Sequence, residues 1–95
     1  MSITIGDFTF DRVRYDRDVD VLYLHTGEPR DAVDFDESPE GHHTRYGHDG
    51  RLVGITLLHP RLILDEDGQV VVTTDHERLE AGPEVFEPVL AAAAR

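Results

Sequence analysis

Three histidines within seven residues are the first candidates for chemistry in this chain. They are His42, His43 and His48, in the stretch EGHHTRYGHDG, and they are half of the six histidines present. An imidazole binds metal ions, exchanges protons near neutral pH and hydrogen-bonds to ligands. The chain has no cysteine, which excludes disulfides, thiolate metal ligands and cysteine nucleophiles. We therefore take His42, His43 and His48 as the candidate ligand-binding residues.

The pleat of a β-strand separates the first two of these histidines. Asp49-Gly50 is a tight-turn signal, so it predicts a hairpin in which residues 42–46 form one strand. Consecutive strand residues point to opposite faces, so His42 is expected beside the core and His43 on the other face. The two side chains are therefore not expected to serve one site on the sheet.

Two sets of histidines stay open as metal ligands. His42 could meet a distant histidine on the core side, and His43 could meet His48 near the turn. The distant candidates are His25, His59 and His76. A zinc site needs three or four converging ligands, and neither set has a known ligand spacing. We expect hydrogen-bonded, partly buried histidine, no physiological metal and no cofactor.

No catalytic residue is predicted. The chain contains none of the motifs G-x-S-x-G, G-x-x-x-x-G-K-[ST] and G-x-G-x-x-G. His48-Asp49 and Asp75-His76 place a histidine next to a carboxylate, but at a predicted turn and a predicted helix start. The acidic runs 31–37 and 65–68 lack the ligand spacing of a calcium-binding loop. The sequence favours a protein that is not an enzyme.

Acidic residues dominate the charge of the chain. Twenty Asp and Glu against nine basic residues give a net charge of -11, which repels phosphate backbones and anionic lipid surfaces. Arg12, Arg14 and Arg17 alternate with aspartates, so no basic patch is expected. We predict no nucleic-acid partner and no membrane partner, whereas a basic protein partner suits this charge.

The length of the chain predicts one small domain over residues 1–95. Only 39% of the residues are hydrophobic, so the core is modest, and shared burial with a second copy favours a homodimer. No apolar stretch approaches the roughly 20 residues that span a bilayer, and no signal peptide is evident. A cytoplasmic location is expected.

Short apolar runs between turn signals predict an α+β fold, a mostly antiparallel β-sheet built from hairpins with a C-terminal amphipathic helix. Val21 to Leu24 is apolar on both pleats and predicts a central strand. The apolar phase changes after Phe10, which predicts a break near Asp11. The acidic segment from Glu28 to Gly41 predicts a long loop that contains a short edge strand.

The second half of the chain predicts another hairpin and two helices. Asp67-Gly68 lies between RLIL and QVVVTT, a pattern typical of a hairpin. Thr74 and Glu77 have the spacing of a capping box, which predicts a short helix from His76 to Ala81. A second helix is expected to start between Pro83 and Pro88, as a lid on the sheet or a contact to a second subunit. Its apolar stripe consists of the pairs Val85 with Val89 and Phe86 with Leu90.

Two blocks carry a resemblance to a known family. The run YDRDVDVLYL followed by DGRLVGITLL resembles the small bacterial and archaeal family catalogued as domain of unknown function 2283. The resemblance covers about half of the chain. It implies a β-rich fold without an assigned activity, so it supplies no catalytic residue. The matching residues are Tyr15, Asp16, Asp20, Leu22 and Tyr23, then Asp49, Gly50, Val53, Gly54 and Ile55.

The chain departs from the family pattern in three places. Members usually carry an aliphatic strand where His42, His43 and Thr44 stand, and an acidic turn residue at the position of Gly47. They also tend to end soon after the position of Ile55, whereas this chain continues for forty residues. The added half is expected to influence the partner or the function.

Three functions are consistent with the sequence. The first is a non-enzymatic protein-interaction module that acts as a homodimer. The second is a metal- or ligand-binding protein, or a small hydrolase, centred on His42, His43 and His48. The third, by analogy with small families of this kind, is an antitoxin-like partner of a small basic toxin.

Overall fold

The computed structural model describes residues 1–28 and 32–93. Within them the chain forms nine strands and two helices, and every strand pair is antiparallel, which confirms the predicted α+β fold. The elements are β1 (Ile3–Ile5), β2 (Phe8–Phe10), β3 (Arg12–Asp16), β4 (Val21–His25), β5 (Asp34–Glu37), β6 (His43–Tyr46), β7 (Leu52–Leu58), α1 (Pro60–Asp67), β8 (Val70–Thr73), β9 (Arg78–Ala81) and α2 (Pro83–Ala93).

Five strands form the larger sheet, in the order β3-β4-β7-β6-β5. Its inner face packs on the core, because Leu22 and Leu24 of β4 and Ile55 and Leu57 of β7 are buried there. We call the other face the open face. Its side chains belong to Arg12 and Arg14 of β3, Tyr23 and His25 of β4, Thr56 of β7, His43 and Arg45 of β6, and Phe35 and Glu37 of β5.

The positions of several strands agree with the sequence. β4 lies between β3 and β7, as predicted for a central strand, although Tyr23 on its open face is only half-buried. The chain leaves the small β1–β2 sheet at Asp11, where the apolar phase changes. The acidic segment from Glu28 to Gly41 contains the edge strand β5. Residues 29–31 of this segment lie outside the described part of the chain.

Two small hairpins and α2 cover the inner face. Phe10, Phe86 and Leu90 are almost fully buried in one cluster with the inner residues of the sheet. Burying each large apolar side chain contributes about 1.5–3 kcal/mol to folding. The predicted C-terminal helix is therefore confirmed, and it packs against β1 and β3 as a lid on the core.

The predicted hairpin at Asp67-Gly68 is wrong, because the residues before it form α1. Pro60 fits the first helical position, since its φ suits a helix and its missing N–H needs no partner there. Gly68 ends the helix with a φ of 77°, and its N–H donates to Leu64 O at 3.0 Å. Asp-Gly favours positive φ in a hairpin turn and at a helix end alike, so the dipeptide could not distinguish them.

The predicted helix from His76 to Ala81 is also wrong, because Arg78–Ala81 is strand β9, paired with β8. The hydroxyl of Thr74 accepts hydrogen bonds from the N–H groups of His76 and Glu77, as it would at a helix start. Here the same contacts close a hairpin loop. Leu79 and Ala81 are buried and alternate with exposed neighbours, which is the period of a strand.

Neither helix in the described part of the chain is long and apolar enough to cross a membrane.

Candidate functional site

The three candidate histidines lie in three different places. His42 is 2% exposed on the inner side of the sheet, and its Nδ1 accepts a hydrogen bond from Leu58 N–H at 3.1 Å. His43 is exposed on the open face, and His48 is exposed in the turn between β6 and β7. The prediction that His42 and His43 point to opposite faces is confirmed, and the structure does not bring the three side chains together.

Burial sets the protonation of His42. Removal from water lowers the pKa of His42, Glu40 nearby opposes that shift, and His43 reinforces it. Because Nδ1 accepts the hydrogen bond from Leu58, the neutral ring carries its proton on Nε2. A neutral, engaged His42 is the hydrogen-bonded core histidine that the sequence suggested.

The three distant histidines do not join His42. His25 lies on the open face, while His59 and His76 are exposed at the start of α1 and in the β8–β9 loop. Over residues 1–28 and 32–93, no group of three or more histidine or acidic side chains is placed to hold a metal ion.

The strand register instead assembles a different set of polar side chains. Two rows cross all five strands on the open face. The first row is Arg12, His25, Gly54, Arg45 and Phe35, and the second is Arg14, Tyr23, Thr56, His43 and Glu37. Each row begins with an arginine on β3, and the second ends with a carboxylate on β5.

Gly54 makes a notch in the middle of the first row. A Cβ at residue 54 would lie 2.8 Å from Cδ2 of His25 and 3.2 Å from Nη1 of Arg45. Only glycine leaves room there for the imidazole and the guanidinium to lie against the sheet. His25 is consequently 8% exposed, and both of its ring nitrogens are buried without a hydrogen-bond partner among the described residues.

A cavity of about 600 Å³ opens over this part of the sheet. It is lined by three arginines and one carboxylate, with apolar and aromatic groups between them. The lining includes Asp11, Arg12, Val13, Arg14, Tyr23, Leu24, His25, Phe35 and Arg45. In a chain of net charge -11, this is a local concentration of positive charge.

Two of the cavity arginines have no carboxylate partner in the described residues. The guanidinium of Arg14 lies over the Tyr23 ring, 4.4 Å from its centroid, and Nη2 of Arg45 donates to the Thr56 hydroxyl at 2.7 Å. Arg12 differs, because it forms an ion pair with Glu28 at 2.8 Å. Arg14 and Arg45 therefore keep most of their hydrogen-bond donors for other contacts.

The expectation that no basic patch forms is wrong for Arg12 and Arg14. Their spacing of two residues places both on one face of β3, where Arg45 joins them from β6. Arg17 lies in the turn after β3 and does not share this row. The alternation of strand β3 was the signal for this cluster, but the contribution of Arg45 depends on the order of strands in the sheet.

The β5 edge of the larger sheet is protected by its own side chains. Phe35 N–H and Glu37 N–H donate to the carboxylates of the preceding residues, Asp34 and Asp36, at 3.1 and 2.8 Å. Ser38 N–H donates to His42 O across the β5–β6 hairpin. Because the direction of the backbone amides alternates along a strand, the amides of Phe35 and Glu37 point away from β6. Occupied donors and negative charge discourage another strand from pairing with this edge.

Asp20 and Tyr15 have structural roles. Asp20 Oδ1 accepts from the Tyr15 hydroxyl at 2.7 Å and from Arg61 N–H at 3.2 Å, and Oδ2 accepts from Leu62 N–H at 3.3 Å. Asp20 thus caps the N-terminus of α1 from the β3–β4 turn. Burial and the bond to Asp20 raise the pKa of Tyr15 to about 12.

The larger sheet, on which these residues lie, matches a known protein family. Residues 12–60 match the family model described as "Protein of unknown function (DUF2283)", and the chain belongs to that family. The matched segment contains all five strands of the larger sheet, from Arg12 to Leu58. Searches of curated proteins and of solved structures gave no match.

Proposed function

We propose that this protein is a non-enzymatic protein-interaction module that acts as a homodimer, and that the open face of the larger sheet is its contact surface. The observation that carries this proposal is the charge order of the second row, from Arg14 on β3 to Glu37 on β5. A surface with opposite charges at its two edges is complementary to a second copy of itself.

A two-fold axis determines which residues of the two subunits face each other. Rotation about an axis along the central strand β7 places β3 of one subunit opposite β5 of its partner, as in an isologous interface. Arg14 then faces Glu37 of the partner subunit. Arg12 faces Phe35 of the partner subunit, and an arginine over an aromatic ring is an attractive arrangement.

The exposure of Phe35 supports the same surface. Its ring is 67% exposed at the rim of the open face, although large aromatic side chains are stabilised by burial. Half-buried Tyr23 lies nearer the middle of the same face. Aromatic and arginine side chains are enriched in protein interfaces, and this face contains both. The edge of β5 is a poorer contact surface, because Asp34 and Asp36 occupy its outward amides.

Light scattering coupled to size-exclusion chromatography tests the proposal. The wild-type protein at micromolar concentration is expected to show twice the 10.7 kDa mass of one chain. Arg14→Glu and Glu37→Arg are each expected to weaken the dimer, because each places like charges opposite one another. The double variant Arg14→Glu/Glu37→Arg restores opposite charges and is expected to restore the dimer.

Arg51→Glu is the matched control, since Arg51 is an exposed arginine outside the open face. It changes the net charge by the same amount as Arg14→Glu and is expected to leave the dimer intact. A monomeric wild-type protein contradicts the dimer. A double variant as weak as the single variants contradicts the proposed pairing.

A second candidate function is the neutralisation of a small basic protein. It is favoured by the net charge of -11 and by the exposed acidic strand β5, whose residues are all exposed. Co-expression with the product of an adjacent small basic gene tests it. Rescue of growth from that product supports this function, and unchanged toxicity contradicts it.

A further inference from the structure

We infer that the cavity on the open face is a binding site for a small organic oxyanion, a carboxylate or a phosphate ester with an apolar body. The site uses Arg14, Arg45 and His25 of a single chain, so it goes beyond the proposed interaction function. Because the proposed dimer covers the same face and pairs Arg14 with Glu37 of the partner subunit, the ligand and the partner compete for this face.

The two arginines supply the charge that such a ligand needs. Arg14 and Arg45 line the same cavity, and neither forms an ion pair with a described residue. A guanidinium presents five donors in a plane that matches the oxygens of a carboxylate or phosphate. Their present contacts, a tyrosine ring and one hydroxyl, leave most of these donors for a ligand.

His25 is the second, independent sign of a ligand. It lines the cavity, is 8% exposed, and has two buried ring nitrogens without a partner in the described residues. A buried polar group without a partner costs free energy, so such groups are rare unless they serve a function. An imidazole N–H can donate to an oxyanion held by the neighbouring Arg45.

The remaining lining sets the size and the polarity of the ligand. A volume of about 600 Å³ lies within the range of small-molecule sites. Phe35 and the ring of Tyr23 supply apolar surface beside the arginines, so a ligand with an apolar body gains contact that a bare ion does not. The carboxylate of Asp11 also lines the cavity, but it accepts a hydrogen bond from Gly27 N–H at 3.3 Å and leaves arginine in excess.

Isothermal titration of the full chain carrying Glu37→Arg, which is expected to weaken the dimer and does not change a cavity residue, tests the site with four probes. Phenyl phosphate, benzoate and inorganic phosphate carry an oxyanion, and benzyl alcohol is the neutral control. We expect saturable binding of phenyl phosphate or benzoate with one site per chain, weaker binding of inorganic phosphate and no binding of benzyl alcohol. The stronger of the first two identifies the ligand as a phosphate ester or a carboxylate.

Variants assign the binding to the named residues. Arg45→Gln and His25→Phe are each expected to weaken binding at least tenfold, whereas Arg51→Gln, outside the cavity, is expected to leave it unchanged. His25→Phe keeps the ring shape, and circular dichroism checks that both variants are folded. Absence of saturable binding for all three oxyanions overturns the inference, and so does equal binding by the Glu37→Arg chain with and without either substitution.

The same samples separate this inference from the proposed dimer. A dimeric wild-type protein whose Glu37→Arg variant binds no oxyanion overturns the site and leaves the interaction function. A monomeric wild-type protein that binds phenyl phosphate or benzoate through Arg45 supports the site and contradicts the dimer.

Discussion

Gly54 on β7 and His25 on β4 lie opposite each other on adjacent strands. The His25 ring occupies the space that a side chain at residue 54 would need. A Cβ at residue 54 would lie 2.8 Å from Cδ2 of the His25 ring, closer than side chains normally approach. The absence of a side chain at Gly54 therefore allows the imidazole to lie against the sheet. It also allows the Arg45 guanidinium to reach the same point from the other side.

Gly54→Ala is expected to destabilise the protein by about 1–3 kcal/mol, the usual cost of overpacking a closely packed position. Urea unfolding measures this change. In a His25→Ala background the same substitution is expected to cost much less, because the ring that the methyl group would meet is gone. An equal cost in both backgrounds would show that His25 is not the constraint.

His25→Phe is expected to increase the free energy of unfolding by about 1 kcal/mol, because it removes two buried polar atoms that lack partners among the described residues. Urea unfolding of the variant and of the wild type measures this change. Combined with the loss of oxyanion binding proposed above, this gain would identify His25 as a residue retained for binding and not for stability. A clear loss of stability would contradict that assignment.

His42 is expected to make the protein less stable in mild acid. Burial lowers the pKa of His42 from 6.5 in the folded state, so the unfolded chain binds the proton first as the pH falls. The contribution of His42 to the free energy of unfolding is fully present above pH 6.5 and is lost as the pH falls from 6.5 through the folded-state pKa. Urea unfolding between pH 7.5 and about 5 measures the decline.

Two variants isolate this residue. His42→Asn keeps an acceptor for Leu58 N–H but does not titrate, so its stability is expected to depend less on pH in this window. His42→Leu leaves that N–H without a partner and is expected to cost about 1–3 kcal/mol at neutral pH. An unchanged pH dependence in His42→Asn would assign the decline to other groups.

Asp20→Ala is expected to cost about 1–2 kcal/mol, the usual effect of losing a helix cap. Asp20 receives hydrogen bonds from Arg61 N–H and Leu62 N–H, and its φ of 54° suits Asp or Asn better than Ala. Hydrogen exchange of those two amides is expected to accelerate. Asp20→Asn, which keeps an acceptor and tolerates the backbone angle, is expected to lose less, and equal losses would contradict a capping role.

Asp34→Val/Asp36→Val is expected to promote aggregation, because it frees two outward amides of β5 and removes two charges from the edge. Static light scattering and thioflavin fluorescence over several days measure it. Asp65→Val/Asp67→Val makes the same chemical change on α1 without touching a sheet edge, so it is the control. Equal aggregation of the two variants would attribute the effect to lost charge alone.

The sequence predicted local structure correctly where a residue pattern is compatible with only one kind of structure. Strand alternation correctly separated His42 from His43, and the apolar stripe of Phe86 and Leu90 correctly predicted α2. It failed at Asp67-Gly68, because positive φ at glycine suits both a turn and a helix end. It failed again at Thr74, whose hydroxyl makes the same contacts in a loop and in a helix cap.

The candidate site depends on strand order, which no local pattern contains. Arg12 and Arg14 share a face by their spacing alone. Their proximity to Arg45 requires that β4 and β7 lie between β3 and β6, and β4 and β7 are separated by twenty-six residues of sequence. The clustered histidines drew attention because they are adjacent in sequence, whereas His25 became relevant only through its position beside Gly54.

Cysteine cross-linking tests the open-face dimer most directly, since the chain has no cysteine of its own. Arg12 and Phe35 lie on opposite edge strands, about four strand spacings or 19 Å apart, too far for a short bismaleimide to join them within one chain. In the proposed dimer each residue faces the other across the interface. A mixture of Arg12→Cys and Phe35→Cys chains is predicted to give covalent dimers with a short bismaleimide, while each variant alone gives few. No covalent dimer from the mixture, or an equal yield from either variant alone, would contradict the open face as the contact surface.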